Sequence, residues 1–403
     1  MNSERIYLDN AATTPLRTEV ADAMRAAFER ANYNPSSLHA EGRRARALLD
    51  SARESIASSL GAKRNEITFT GSGSESDNQA LLGVLKLAPR GAHVVTTAIE
   101  HHAVLAALDR LKNEGFDATV LPVGDDGIVE EARFAGALRP STYVASVMLA
   151  NNEIGTVQPI PQFAAIARDR GILFHTDAVQ APSWLPIDVR ELGVDLLSLS
   201  AHKFGGPKGV GLLYVRAGVK IAPLVSGGGQ EFGRRSGTEN VLGIAGMARA
   251  LELAISERPA QSKRVAALRD RLSAGIRASV PAVRVNGSMD ARLANNLNVS
   301  FEGVDSEALL IALDLAGVAV SAGSACTSGS PEPSHVLAAL AMNGQWRRGA
   351  VRFSLGISTT GEEIDRVLEI LPPLVAGLRT PGGRGRGDGQ NEKTNRAPLE
   401  AEK

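Results

Sequence analysis

A chain of 403 residues, 43% of them hydrophobic, is long enough for a large buried core and, at typical domain sizes, for about two to three domains. Lys plus Arg and Asp plus Glu both number 44, so the net charge is zero and overall charge does not favour a polyanion such as DNA as partner. One cysteine forbids an internal disulfide and argues against a Cys-rich zinc site; Met1–Leu8 lack an apolar leader, and no run nears the roughly 18 apolar residues of a membrane span, so a soluble, cytoplasmic protein is expected.

From about residue 66 to 215, short runs rich in β-branched residues alternate with helical patterns. The runs are Ile67–Thr70, His93–Thr97, Ala118–Val123, Thr142–Leu149, Ile172–His175, Leu196–Leu199 and Val210–Val215. Helices are predicted at Ser76–Lys86, His102–Glu114, Glu130–Leu138 and Pro161–Arg170. Such alternation predicts a mostly parallel sheet covered on both faces. The last two strands are joined by a short Gly-rich loop and are expected to be antiparallel.

A second unit is expected from Pro259 to Arg379: helices at Ser262–Ala278, Ser306–Leu315, Pro333–Ala341 and Glu362–Ala376, strands at Ala294–Phe301, Val318–Ser321 and Val351–Ser354. This describes a smaller α+β domain (259–379) after a large domain (16–258), with residues 1–15 folding back onto the small one. The tail from Thr380 is Gly-rich, charged and without an apolar run, and is expected to be disordered (380–403). Its Arg-Gly repeats could touch RNA, but a solvated tail is the simpler reading.

Four elements carry chemistry. In Ser198-Leu199-Ser200-Ala201-His202-Lys203, a strand delivers a lysine into a Gly-rich turn. A lysine desolvated at a strand end becomes an amine nucleophile, whereas Lys208 reads as a surface loop residue. One strand earlier, Asp177 in Phe174–Gln180 could pair with a protonated pyridine nitrogen and keep the ring an electron sink, with Gln180 near a phenolate-type oxygen. A helix N-cap is the plain alternative for Asp177, and a metal site with His175 lacks a third ligand at convincing spacing. The Gly/Ser turn Thr70–Asn78, between a strand and a helix, offers backbone N–H groups as a phosphate cradle. It is neither the dinucleotide glycine pattern nor a Walker loop. Taken together, cradle, Asp and Lys on successive strands describe pyridoxal phosphate (PLP) at the carboxyl ends of a parallel sheet. Finally Cys326, among Ser, Gly and Ala residues, reads as a loop thiol available as a nucleophile rather than a core residue.

The chain resembles the NifS/IscS-type cysteine desulfurases of the class V aminotransferase family, within PLP fold type I. The resemblance runs from Tyr7-Leu8-Asp9-Asn10-Ala11-Ala12-Thr13-Thr14-Pro15 to about Leu378. It includes Asn34–Ser37, Glu75–Asn78, Asn151–Gly155, His175–Gln180, Ala201–Lys203, Gly227–Glu231, Arg235–Asn240, Gly323–Cys326 and Arg352–Gly356. Phe232 stands where the related pattern often has Arg, and Ser74 where Thr also occurs. The Arg/Gly tail replaces the family's more usual ending.

The resemblance implies an α/β fold with a mostly parallel seven-stranded sheet and a smaller α+β C-terminal domain. It implies Lys203 as the PLP Schiff-base lysine that also moves the substrate's Cα proton, and His101 stacked on the pyridine ring. Asp177 would face the ring nitrogen and Gln180 the ring hydroxyl. Gly73, Ser74, Ser200 and His202 would hold the phosphate. Thr238 would reach the phosphate of a neighbouring subunit in a homodimer. Asn152 would touch cofactor and substrate, Arg352 would grip the carboxylate of L-cysteine, and Cys326 would accept the sulfur. No metal is implied in the cofactor site, although Cys326 would be the residue to contact a nascent iron–sulfur cluster. An iron–sulfur scaffold protein or another sulfur acceptor is the implied partner. Another PLP enzyme of this fold, such as an aminotransferase or selenocysteine lyase, is the alternative, and an aminotransferase would not need Cys326. A non-catalytic sulfur-trafficking protein would not need Lys203, Asp177 and His101.

Overall fold

The computed structural model describes residues 5–323, 334–340, 342 and 344–379. Cys326 and the tail from Thr380 lie outside the described residues. The strands, in chain order, are β1 (Ile6–Tyr7), β2 (Ile67–Thr70), β3 (His93–Thr97), β4 (Asp117–Leu121), β5 (Thr142–Ser146), β6 (Leu173–Asp177), β7 (Leu196–Ser200), β8 (Gly211–Val215), β9 (Val283–Val285), β10 (Asn296–Phe301), β11 (Val318–Ala319) and β12 (Ala350–Ser354).

The large sheet has seven strands in the order β2-β8-β7-β6-β5-β3-β4. The pairs from β7 through to β4 are parallel, while β8 is antiparallel to both β7 and β2. Two antiparallel steps restore the direction of β2, so its carboxyl end lies on the same side as those of β6 and β7. The residues of β2, β3, β6, β7 and β8 are almost all buried, as expected when helices cover both faces; only the edge strand β4 is largely accessible.

The second sheet, β12-β10-β9, is antiparallel. Beside it β1 pairs in parallel with β11, and isolated bridges join Asp9 to Ser354 and Ser321 to Arg352. The helix Val241–Ser279 belongs to both cores. Its first half buries Ile244, Met247 and Leu251 against the large sheet, and its second half buries Val265, Leu272 and Ile276 against the small one. Each fully buried side chain of this kind contributes about 1.5–3 kcal/mol of transfer free energy. Pro259 sits within this helix instead of interrupting it. The helix expected from Ser76 begins at Gly73, because Ser72 caps it by accepting the Glu75 N–H at 3.1 Å.

Backbone closeness fixes the turn after β2. A Cβ on Gly211 would lie 2.4 Å from the Ser72 backbone. Gly211→Ala is therefore expected to displace the turn and destabilise the protein by about 1–3 kcal/mol, read as a lower urea midpoint; an unchanged midpoint would show that the turn yields freely.

Candidate active site

The connections leaving the carboxyl ends of β2, β3, β5, β6 and β7 converge on a cavity of ≈ 200 Å³. Gly73, Ser74, His101, Asn152, Asp177, Gln180, Ser200, His202, Lys203 and Arg352 all line it. Thr238 does not; it is exposed and lies with Thr70, Gly71 and Arg235 in a neighbouring depression.

Lys203 ends a single 3-10 turn directly after β7. Its Nζ donates to the carbonyls of Ala11 and Ala12 at 2.7 and 2.8 Å. Gln180 Nε2 donates to the same Ala11 carbonyl at 3.0 Å, and His202 Nδ1 is 3.1 Å from Thr13 Oγ1. The N-terminal stretch thus crosses the cavity and is stitched to three of its walls. Asp177 is the last residue of β6, and its Oδ1 accepts the Val179 N–H at 2.9 Å. Burial pushes its carboxyl up to about 6, against the lowering effects of that N–H and of Lys203. His101 caps the helix His102–Asn113, its Nδ1 accepting the Ala103 N–H at 3.1 Å. Burial, then Lys203 and the neighbouring histidines His102 and His335, lower its pKa to about 4, so the ring is neutral at pH 7. Burial and Lys203 likewise lower His202 to about 4.

Arg352 is built into the cavity wall. It lies in the middle of β12 and is 1% exposed. Nη2 pairs with Asp9 at 2.7 Å, Nη1 donates to the Asn152 carbonyl at 3.0 Å, and the buried Nε has no hydrogen-bond partner among the described residues. His175 is not arranged as a metal ligand. Its Nδ1 and Nε2 are taken by the hydroxyls of Ser146 and Ser198 at 2.8 and 3.0 Å.

Two carboxyl groups were not singled out from sequence. Asp77, in the first helical turns after the Gly/Ser turn, lines the cavity, and burial and then the charge of Asp177 raise its pKa well above the usual range. Glu100, beside His101, is pushed up to about 8 by burial, against the lowering effect of donors from Thr97 and Met148. The signal for Asp77 was its place in the first turns of a helix that runs on into the apolar stretch Ala80–Leu85.

The class-V aminotransferase model matches residues 6–367. The chain belongs to the class-V aminotransferase family. Among curated members, the cysteine desulfurase IscS of Dictyoglomus turgidum is 49% identical over 376 residues, covering 93% of this chain and 95% of that protein. The cysteine desulfurase NifS of Azotobacter vinelandii is 46% identical over 393 residues, covering 97% and 98%. Among solved structures, a NifS-like protein superposes with a TM-score of 0.88 at 37% identity, covering 93% of this chain and 100% of that one. SspA in complex with cysteine gives 0.78 at 36%, covering 88% and 100%.

Pyridoxal phosphate is the cofactor of this family member, and the residues present fit it. The first N–H groups of the helix Gly73–Leu85 have no intrahelical acceptor, and Gly73 keeps the turn open. A Cβ there would lie 2.8 Å from Val179 Cγ2 and 3.2 Å from Ser200 Cβ. A carboxylate, an amine and an imidazole border the remaining cavity.

The buried histidine gives a pH test. His175 titrates near 6.5 when unfolded but, through burial, at about 3 when folded. Between these values the unfolded chain binds the extra proton, so this contribution to stability is lost as pH falls. His175→Gln is expected to lose less stability than wild type between pH 7 and pH 5 in urea unfolding; equal losses would show that the ring titrates freely in the fold.

Proposed function

We propose that this chain is a PLP-dependent cysteine desulfurase, which converts L-cysteine to L-alanine and holds the sulfur as a persulfide on Cys326 before passing it to an acceptor protein. The observation that carries this reading is the meeting of Lys203, Asp177, His101 and the Gly73 turn with Arg352 around one cavity, in a chain 46–49% identical to proteins named cysteine desulfurase.

When bound, pyridoxal phosphate supplies a ring that withdraws electrons from the substrate's Cα. The protein's own groups do the rest. The helix N-terminus at Gly73 and Ser74, with Ser200 and His202, holds the phosphate. Asp177 sets a negative charge at the inner end of the cavity, and a cationic ring nitrogen beside it would favour the carboxylate form. His101, neutral at pH 7, presents a flat face and a proton-exchanging nitrogen. Arg352 holds the carboxylate of cysteine in a charge-assisted grip, with the Asn152 side of the cavity completing the pocket. Lys203 takes the Cα proton and returns it.

In the sulfur step, the Cys326 thiolate attacks the substrate sulfur. The new S–S bond forms as the substrate C–S bond breaks, its electron pair stays on carbon, and a proton there completes alanine. Enzyme thiol plus cysteine gives enzyme persulfide plus alanine, so no outside oxidant or reductant is consumed.

The reading includes a cytoplasmic two-fold homodimer, in which the exposed Thr238 of one chain completes the phosphate cradle of the other. The acceptor is an iron–sulfur scaffold protein or another sulfur carrier for cofactor or tRNA synthesis. Among the described residues no helix is long and apolar enough to cross a membrane.

Two variants test the reading. Cys326→Ser is expected to keep the cysteine-induced change in visible absorbance while alanine formation falls by about a hundredfold or more; sulfur release at full rate would sink the mechanism. Lys203→Ala is expected to lose the visible band of the purified protein and to retain no cofactor on gel filtration.

A further inference from the structure

Among the described residues that line the cavity, Arg352 brings the only guanidinium, and that group already holds a carboxylate. Asp9 meets its Nη2 at 2.7 Å. The arginine side chain is 1% exposed and that of Asp9 20%. Asp9 does not line the cavity, so it reaches Arg352 from outside it. The backbone leaves Asp9 little choice of position. The Leu8 carbonyl accepts the Ser354 N–H at 2.7 Å, and the Asn10 N–H donates to the Ser354 carbonyl at 3.1 Å. The residue between them is thereby bracketed against β12, two positions beyond Arg352. Tyr7 Oη lies 3.1 Å from the Asp9 carbonyl and 2.8 Å from that of Thr13, which holds the same stretch from its other side.

A guanidinium has five N–H donors in a planar fork. Asp9 takes one at Nη2 and the Asn152 carbonyl takes one at Nη1, so donors remain for a ligand. Charge is the scarcer quantity. A positive charge this deeply buried needs a negative one beside it, and Asp9 supplies it before any substrate arrives. The carboxylate of an amino acid then brings a second negative charge to a cation that is already neutralised, and like charges sharing a site weaken each other's hold. The grip is therefore looser than an unpaired Arg352 would give. Looseness has a use here. L-Cysteine and L-alanine, the substrate and product of the proposed reaction, carry the same carboxylate, and a contact that tightened on one would retain the other.

We propose that Asp9 is a built-in counter-ion that competes with the carboxylate of the amino acid for Arg352, and so sets how readily cysteine enters and alanine leaves. The inference rests on the desulfurase reading, in which Arg352 takes that carboxylate, and adds a residue to it. Asp9 touches neither substrate nor reacting atoms; it is a positioning residue that acts through Arg352. Its charge limits affinity, while its hydrogen bond keeps the guanidinium in place. An uncharged acceptor at this position consequently tightens binding, which is the opposite of what the loss of a merely structural contact does.

The test uses the full-length, PLP-loaded protein as wild type, Asp9→Asn and Asp9→Ser. The ligands are L-alanine and L-alaninamide, which share an amine and a methyl group but differ in the carboxylate. Binding is read from the change in visible absorbance. In both variants the dissociation constant of L-alanine is expected to fall about tenfold, with that of L-alaninamide moved less than about twofold. Either variant alone decides the matter if the other fails to retain the cofactor. Unchanged or weaker L-alanine binding would overturn the proposal. So would an equal gain for L-alaninamide, which would place the effect at the cofactor and not at the carboxylate. A wild-type protein that binds L-alanine yet forms none from L-cysteine would instead overturn the desulfurase reading alone, because the comparison of Asp9 variants does not depend on sulfur release.

Discussion

Charge taken out of water has to be compensated, and around this cavity that requirement dictates where the chain goes. The Lys203 ammonium finds two main-chain carbonyls, those of Ala11 and Ala12. The Arg352 guanidinium, inside a strand, finds Asp9 and the Asn152 carbonyl. Both sets of partners bring in the same N-terminal stretch, which is why a segment some two hundred residues away in sequence lies across the end of the large sheet. The sheet supplies direction, because the carboxyl ends of every strand except β8 open on one side. The compensating contacts supply the remaining walls, drawn from the N-terminus and from the small sheet.

Much of this was legible in the sequence, and the reason is local. Lys203, Asp177 and the Gly73 turn each stand at the end of a strand readable from its run of branched residues, and the alternation of runs and helices states that those ends face one way. The antiparallel return of β8 was legible from the short loop before it. What escaped was set by distant packing. Glu100 and Asp77 are ordinary acidic residues until the fold encloses them. Arg352 lay in an expected strand and was assigned to the substrate by resemblance, but its pairing with Asp9 depends on β12 lying between β10 and the N-terminal bridge. The helices Thr18–Ala31 and Ala40–Ser59 also went unread. Half of their buried residues are alanines, such as Ala45, Ala52 and Ala57, which stand out less than larger apolar side chains among so many charged neighbours.

Phe232, the departure from the related pattern, has a clear local setting. Glu231 and Phe232 both adopt left-handed backbone angles, with φ of 48° and 59°, a conformation costing non-glycine residues about 1–3 kcal/mol each. What holds them is the buried pair of Glu231 with Arg53, two bonds at 2.7 and 2.8 Å, reinforced by the Phe69 N–H at 2.8 Å. The Arg53 guanidinium lies between the rings of Phe69 and Phe232, at 4.6 and 5.2 Å from their centroids. Phe232 is still 58% exposed. An aromatic residue here caps an arginine, so the position contributes to the setting of the loop that leads to Thr238 rather than presenting a charge of its own.

The helix Val241–Ser279 has a consequence for how the molecule comes apart. Because one continuous rod supplies side chains to both cores, neither half can melt without stripping apolar surface from the other. The two lobes are consequently expected to unfold together on heating, despite having separate sheets.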